Sequence, residues 1–237
     1  MRCLVDVATR ICSSLHKSRE LALRTKGDRI LIMLGDSNFF YYPSSFMSKY
    51  LGRFWVQKSV ADLVHEALPG RVILVSSTYL QVRASCMQYL ATTLETILTL
   101  NPNVEVHVLV LLGQNDADSA SRSCTRNSNE IRAHFRDYIE SRIQSINEAM
   151  AAFPQVTTHW VKPFDDPDAE FTHLYVNLVE DLKECVEKQD QVLNFGPFVS
   201  FEADHYHLTT SERKNFAAQI LAWCAGAESF VFRSVSS

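Results

Sequence analysis

The sequence predicts an α/β fold, in which a parallel sheet of about five strands carries helices on both faces. Residues 31–34 and 104–112 form near-continuous apolar runs, which are typical of parallel strands covered on both sides. Segments with apolar residues at helical spacing lie between such runs, and this alternation favours strand–helix–strand units. The functional site of such a sheet lies beyond the carboxyl ends of its strands, and polar residues follow both runs there.

Five apolar segments are the predicted strands, in the order 29–34, 72–75, 104–112, 156–161 and a short one around 197–201. Periodic apolar positions predict the helices between them, at 52–68, around 90–98, and at 118–150, 171–188 and 211–223. Turn residues mark several boundaries, namely Pro69-Gly70, Asn101-Pro102-Asn103 and Pro154. The tail after the last helix has no clear assignment.

The composition indicates one domain, and the net charge gives no overall positive potential that would attract nucleic acid. The chain has 237 residues, enough for a sizeable core, and a formal net charge of -4 at pH 7. Its cysteines show neither CxxC pairs nor zinc-like spacing, so we expect free thiols in a reducing compartment. The N-terminus is not expected to be a signal peptide, because a charge occurs at Arg2 and no long apolar core follows it. No run is apolar enough to span a membrane, so the sequence predicts a cytoplasmic protein.

Residues 1–27 are predicted to be a helical extension packed on the main domain, which spans 28–237. Apolar residues recur at helical spacing from 3 to 26, and the opposite face is basic. A helix lying over the sheet with a solvated basic face is favoured. An RNA- or partner-binding helix remains the alternative.

Gly35-Asp36-Ser37 directly follows the first predicted strand. Gly35 permits a close backbone approach, which would display the Ser37 hydroxyl at the end of the sheet as a nucleophile requires. The tripeptide is also common turn chemistry, so it does not by itself identify a site.

Two further motifs occur at later strand ends. Asn115 follows the third strand, and Asp204 precedes His207 by three residues just before the last helix. Ser37, Asn115 and Asp204-x-x-His207, in this order, resemble the SGNH (GDSL) hydrolase family over residues 29 to about 223. The resemblance implies a three-layer α/β/α sandwich with a flavodoxin-like sheet.

The residue types suggest a serine esterase. A serine hydroxyl needs a base within reach, and His207 can accept and return the proton of Ser37. Asp204 would orient that imidazole and stabilise its charged form. His205 is a competing base, but its spacing from Asp204 fits the family pattern less well.

The tetrahedral oxyanion needs preplaced donors, and the candidates are the Ser37 amide, the amide near Ser77 and the Asn115 side chain. The family usually has a glycine after the second strand, whereas this sequence has none between Arg71 and Leu112. Ser76 or Ser77 could supply the amide instead, because any non-proline residue carries one.

An aromatic run, Phe39-Phe40-Tyr41, follows the nucleophile turn. These rings could line an apolar acyl pocket or could pack against the turn, and the sequence favours neither interpretation. In the acidic loop 162–168, paired carboxylates could hold a divalent metal, but the prolines among them favour a solvated turn. The histidines lack metal-ligand spacing, so no metal or other cofactor is expected.

The functional prediction is therefore a serine esterase that works through an acyl-enzyme intermediate. The resemblance implies acyl esters of small molecules, lipids or carbohydrates, and the aromatic run after Ser37 favours short acyl groups such as acetyl. The alternative is a non-catalytic or weakly active SGNH-like binding module, with RNA or a protein as partner. Retention of Ser37, Asn115, Asp204 and His207 favours the enzyme, and the missing glycine favours the module. The sequence leaves the oligomeric state open.

Overall fold

A computed structural model of the chain describes residues 29–40, 58–69, 71–77, 79–82, 84–122, 127–164, 172–202, 206–226 and 231–232. The N-terminal extension (1–27), Tyr41, Asp204 and His205 lie outside these residues. Most of the acidic loop, from 165 onward, lies outside them as well. The division at residue 28 therefore stays a prediction.

The strands form one sheet in the order β2-β1-β3-β4-β5-β6. β1 to β5 run parallel, and β6 pairs with β5 in the antiparallel direction. The strands are β1 (Arg29–Gly35), β2 (Val72–Ser76), β3 (Glu105–Leu111), β4 (Val156–Val161), β5 (Val192–Leu193) and β6 (Val231–Phe232). The predicted parallel α/β sheet is confirmed, with the two-residue β6 added from the unassigned tail.

Helices cover both faces of this sheet, as the sequence predicts. They are α1 (Ser37–Phe40), α2 (Val60–Ala67), α3 (Ala84–Leu100), α4 (Gln114–Ser121), α5 (Ser128–Ala151), α6 (His173–Glu187) and α7 (Thr210–Cys224). One face packs against α3, α5 and α6, and the other packs against α2 and α7. None of the helices within the described ranges is long and apolar enough to cross a membrane.

The buried strand β1 supplies side chains to both layers. Ile30 and Ile32 belong to the core under α3, α5 and α6, whereas Leu31 and Met33 belong to the core under α2 and α7. This division follows from the two-residue period of a strand. A continuous apolar run is needed because neither face of β1 meets water.

Three predicted boundaries are wrong. The helix predicted at 52–68 begins at Val60, because Ser59 caps it and its hydroxyl accepts a hydrogen bond from the Asp62 amide. The fifth strand is Val192–Leu193 rather than 197–201, because the pairing partner of β4 is set by register and not by local pattern. Phe201 instead makes an isolated antiparallel bridge with Leu208. The predicted helix 118–150 is two helices, and the second begins after Asn127, whose side chain accepts a hydrogen bond from the amide of Asn129.

β1, β2 and β3 end level with one another. Gly35 lies opposite Ser76 of β2 and opposite Leu111 of β3 in the parallel register. The residues that follow these strands, including Ser37, Ser77 and Asn115, therefore leave the sheet at one edge.

Candidate active site

The turn that carries Ser37 is held by backbone hydrogen bonds. The Asp36 amide donates to the Leu111 carbonyl at 3.2 Å, and the Phe39 and Phe40 amides both donate to the Asp36 carbonyl. Ser37 is half-buried at the start of α1. A Cβ on Gly35 would lie 2.3 Å from Phe39 Cδ2, so this tight strand-to-helix turn requires glycine.

The carboxylate of Asp36 connects the nucleophile turn to α4. Its Oδ1 accepts a hydrogen bond from the Asn38 amide at 2.9 Å, and its Oδ2 accepts one from Asn115 Nδ2 at 3.3 Å. Asp36 is only 2% exposed. Burial raises the pKa of this carboxyl to about 7, and the nearby charge of Asp116 acts in the same direction.

Asn115 occupies the second position of α4. The helix starts after Gly113, which has a φ of +111° and whose added Cβ would lie 2.7 Å from Leu182. Glycine is therefore required here both by the backbone angle and by the close approach of α6. The Asn115 side chain remains half-buried beside Asp36.

Asp116 fixes the loop that follows β2. One carboxylate oxygen accepts from the Leu80 amide at 2.9 Å, and the other accepts from the Tyr138 hydroxyl at 2.8 Å. Burial raises the pKa of Asp116, and burial together with this bond raises the pKa of Tyr138 to about 12. Asp116 therefore ties α4 to both the β2 loop and α5.

Two buried side-chain amides form a second chain of hydrogen bonds across the carboxyl end of the sheet. Asn38 Nδ2 donates to Gln114 Oε1 at 2.7 Å, and Gln114 Nε2 donates to the carbonyl of Phe164. Both amides are 6% exposed. The sequence predicts no role for Asn38 or Gln114, and it favours Asp36 as a turn-forming residue and not as a participant in the chemistry. The signal in the sequence that could have pointed to these residues is the run of polar side chains directly after the buried strands β1 and β3.

Ser77 is already engaged within the fold. Its amide donates to the Gly35 carbonyl at 2.8 Å, and its Oγ donates to the Tyr79 carbonyl at 2.8 Å. The Ser77 amide is thus committed to the sheet, because an amide has one proton to give. Its use as an oxyanion donor stays a prediction, as does the use of the Ser37 amide and of the Asn115 side chain.

His207 lies near the end of a short hairpin. The Glu202 amide donates to the His207 carbonyl at 2.7 Å, and Phe201 pairs with Leu208. The residues on either side of His207 have different partners. The Tyr206 hydroxyl donates to Asp118 of α4 at 3.2 Å, whereas Leu208 belongs to the core cluster that contains Phe39.

This hairpin therefore connects the helix that carries Asn115 with the core beneath the Ser37 turn. His207 itself lies between the two flanking residues that make these connections. The other members of the predicted Asp-x-x-His motif, including Asp204 and the competing base His205, lie outside the described residues.

Phe39 does not line a pocket open to solvent, contrary to one of the two predicted interpretations. Its ring is completely buried and packs against Phe216 at 5.7 Å between centroids. Phe40 is half-buried and meets Phe39 edge-on at 6.3 Å. Packing therefore explains Phe39, while a role for Phe40 or Tyr41 in substrate binding stays a prediction.

Comparison with solved structures finds this architecture in an ester hydrolase. A carbohydrate esterase, described as having an active site with divergent catalytic and non-catalytic binding functions, aligns over 87% of this chain and 71% of its own. The TM-score is 0.50 and the sequence identity is 14%. The chain has the SGNH (GDSL) hydrolase fold.

Two more structures align with lower scores. A GDSL-like lipase from Parabacteroides merdae aligns over 86% of this chain and 98% of its own, at 13% identity and a TM-score of 0.47. An acetyl xylan esterase from the rumen bacterium Butyrivibrio proteoclasticus aligns over 84% and 64%, at 15% identity and a TM-score of 0.43. Neither a protein-family model nor a curated protein sequence matches the chain.

In this SGNH fold, a buried arginine fastens the hairpin to α7. Arg213 is 1% exposed, and its Nη1 donates to the Leu208 carbonyl at 2.6 Å and to Glu202 Oε1 at 3.2 Å. Its Nη2 donates to Thr210 Oγ1 at 2.9 Å. Both arms of the hairpin that carries His207 are thus held by one side chain.

Proposed function

We propose that this chain is a serine esterase that hydrolyses acyl esters through an acyl-enzyme intermediate. The observation that carries the proposal is the hydrogen bond of Asp36 to Asn115, which joins the nucleophile turn to the predicted oxyanion donor at one edge of the sheet. The hairpin with His207 borders the same two elements. A nucleophile, a base and an oxyanion donor are the groups that acyl transfer needs.

In the proposed reaction, Ser37 Oγ attacks the ester carbonyl while His207 takes the hydroxyl proton. The Ser37 amide and Asn115 Nδ2 donate hydrogen bonds to the oxyanion that forms. The alcohol then leaves with the proton from His207, and water, deprotonated by His207, releases the acid from Ser37. Asp204 would hold the imidazole in the required tautomer, a role that rests on its spacing from His207.

The proposed substrates are short-chain acyl esters of small molecules, lipids or carbohydrates. The carbohydrate esterase of the same fold supports the carbohydrate class. Phe40 supports a short acyl group, because this half-buried ring lies only three residues from the nucleophile on the same short helix. An acetyl group is therefore the first acyl chain to test.

The experiment is hydrolysis of p-nitrophenyl esters from acetate to octanoate by the wild type and by Ser37→Ala. We expect turnover that is greatest on acetate and that falls to background in the variant. The matched control is Ser145→Ala, which removes a surface serine hydroxyl on α5 and should keep full activity. Equal rates for the wild type and Ser37→Ala would overturn the proposal.

A second candidate is a binding module without turnover. It is favoured by the engaged Ser77 amide, because the edge then offers fewer oxyanion donors than the family pattern implies. The structurally similar carbohydrate esterase is itself described as having non-catalytic binding functions. An inactive wild type that binds an acetylated sugar, an RNA or a protein, with binding weakened by Asn115→Ala, would favour this candidate.

A further inference from the structure

Asp36 lies between the nucleophile and the predicted oxyanion donor, and both of its carboxylate oxygens are used. One accepts the Asn38 amide at 2.9 Å and the other accepts Asn115 Nδ2 at 3.3 Å. Its backbone is held as well, because its amide donates to Leu111 and its carbonyl accepts from Phe39 and Phe40. The carboxylate is therefore a fixed acceptor at 2% exposure.

We propose that Asp36 is a positioning residue that holds the Asn115 amide for the oxyanion only while Asp36 is ionised. This inference rests on the proposed esterase function. Asn115 Nδ2 carries two protons, and Asp36 accepts one of them, which leaves the second for the substrate. Asp36 thus acts through Asn115, and the reacting atoms do not touch it.

Protonation of Asp36 reverses the pattern of donors. A neutral carboxylic acid carries a proton on one oxygen, and an acid proton facing Asn115 Nδ2 would set a donor against a donor. The side-chain amide of Asn115 must then rotate so that its oxygen accepts the acid proton of Asp36. The amide NH2 group no longer points to the place where the oxyanion forms. Oxyanion stabilisation is lost in that state.

The surroundings of Asp36 place this change near neutral pH. Burial opposes the charged form and raises the pKa to about 7. Asp116 faces it from α4 and adds repulsion, while the Asn38 amide opposes the shift. From α5, Tyr138 and Arg142 act in turn on Asp116.

The test compares the pH dependence of kcat in the wild type and in Asp36→Asn. In the wild type, the acid limb should include the ionisation of Asp36 in addition to any that the variant keeps, so it should be steeper than one decade per pH unit and steeper than in Asp36→Asn. In the variant, the limb should fall to a single ionisation, and kcat should fall by about ten- to a hundredfold with KM nearly unchanged.

Asp181→Asn is the matched control. It removes another buried carboxylate, which pairs with Arg132 on the surface of α5 and α6. This variant should lose stability but keep the shape of the pH profile. A single ionisation in the wild type, or a profile unchanged in Asp36→Asn, would overturn the inference while leaving the esterase proposal intact.

A second measurement does not depend on turnover. The carbon NMR signal of the Asp36 carboxyl and the side-chain amide signals of Asn115 should both shift with pH, and the two titrations should share one midpoint. The Asn115 signals are assigned by their absence in Asn115→Asp. The Asn115 titration should disappear in Asp36→Asn. Different midpoints for the two residues, or an Asn115 signal that does not change with pH, would overturn the inference, whether or not any ester is hydrolysed. A common midpoint in a protein that hydrolyses no ester would count against the esterase proposal alone.

Discussion

The amide of Ser77 donates a 2.8 Å hydrogen bond to the carbonyl of Gly35, which extends the parallel pairing of β1 and β2 beyond the last strand residue. The amide that the sequence offers as an oxyanion donor therefore serves the sheet. This hydrogen bond, and not the lack of a glycine at this position, is what commits the Ser77 amide, because every non-proline residue carries a backbone N–H.

Ser77→Gly should therefore leave ester hydrolysis within about threefold of the wild type, since the amide is committed whether or not a side chain is present. Asn115→Ala should lower kcat on the order of a hundredfold, because it removes a donor that remains available. Steady-state kinetics on p-nitrophenyl acetate measures both. A rise of tenfold or more in Ser77→Gly would show that the amide reaches the substrate.

Tyr79→Ala should raise KM about three- to tenfold with kcat almost unchanged. Tyr79 is 45% exposed on the loop after β2, and this loop is fixed by Ser77 Oγ on one side and by Asp116 on the other. A rigidly presented exposed ring at the rim can stack on an apolar or sugar substrate, which is worth about 1 kcal/mol. This contact would stabilise the bound substrate and the transition state equally, so its loss should raise KM and leave kcat unchanged.

Leu100→Ala is the control for this variant. Leu100 is 50% exposed at the end of α3, and the chain enters β3 shortly afterwards, so it lies at the opposite edge of the sheet. Kinetics on acetylated sugars and on p-nitrophenyl acetate would separate leaving-group binding from acyl binding. An unchanged KM on every ester would remove Tyr79 from the substrate surface.

The sequence predicts the first four strands to within two residues. β1 and β3 are long, mostly apolar runs, and the turn residues Pro69-Gly70 and Pro154 lie just before the shorter β2 and β4. It does not predict β5, because Val192–Leu193 is too short to show any period and is selected by its pairing with β4. No glycine or proline lies between Gly113 and Pro154, so the sequence shows no break between α4 and α5, and the Asn127 cap marks where α5 begins.

The site is predictable to a similar extent. Strand ends and order identify Ser37 and Asn115, but the link between them through Asp36 joins residues 79 positions apart, and no local pattern reports it. Phe39 shows the same limit. Its aromatic character is visible in the sequence, whereas its burial depends on Phe216 of α7 and on the space left by Gly35.

Arg213→Lys should lower the free energy of unfolding by about 1–3 kcal/mol, because an ammonium cannot reproduce the planar set of bonds to Leu208, Glu202 and Thr210. Since these bonds hold the hairpin that carries His207, kcat should also fall. Urea unfolding and ester kinetics measure the two effects.

Arg29→Lys gives the comparison, because the Arg29 ion pair with Glu105 is exposed on both sides and contributes little. This control should change stability by less than about 0.5 kcal/mol and should not change kcat. If Arg213→Lys lost stability with full activity, the clamp would support the fold without positioning the hairpin.

Lowering the pH from 7 to 4 should destabilise the protein through His159. Its Nε2 lies 3.0 Å from His107 Nδ1, and the Trp223 ring covers it at 4.8 Å between centroids. Burial, followed by the charge of His107, lowers the pKa of His159 from 6.5 to about 4. The folded state therefore keeps this histidine neutral, while the unfolded chain takes up a proton below pH 6.5.

Stability from this group is thus fully present above pH 6.5 and falls as the pH decreases to about 4, by roughly 3 kcal/mol at about 1.4 kcal/mol per pH unit. His159→Gln can still hydrogen-bond His107 but does not titrate, so its urea midpoint should fall less steeply with decreasing pH. His134→Gln, at an exposed position of α5, should follow the wild type. If His159→Gln and the wild type lost stability in parallel, the acid sensitivity would arise from other groups.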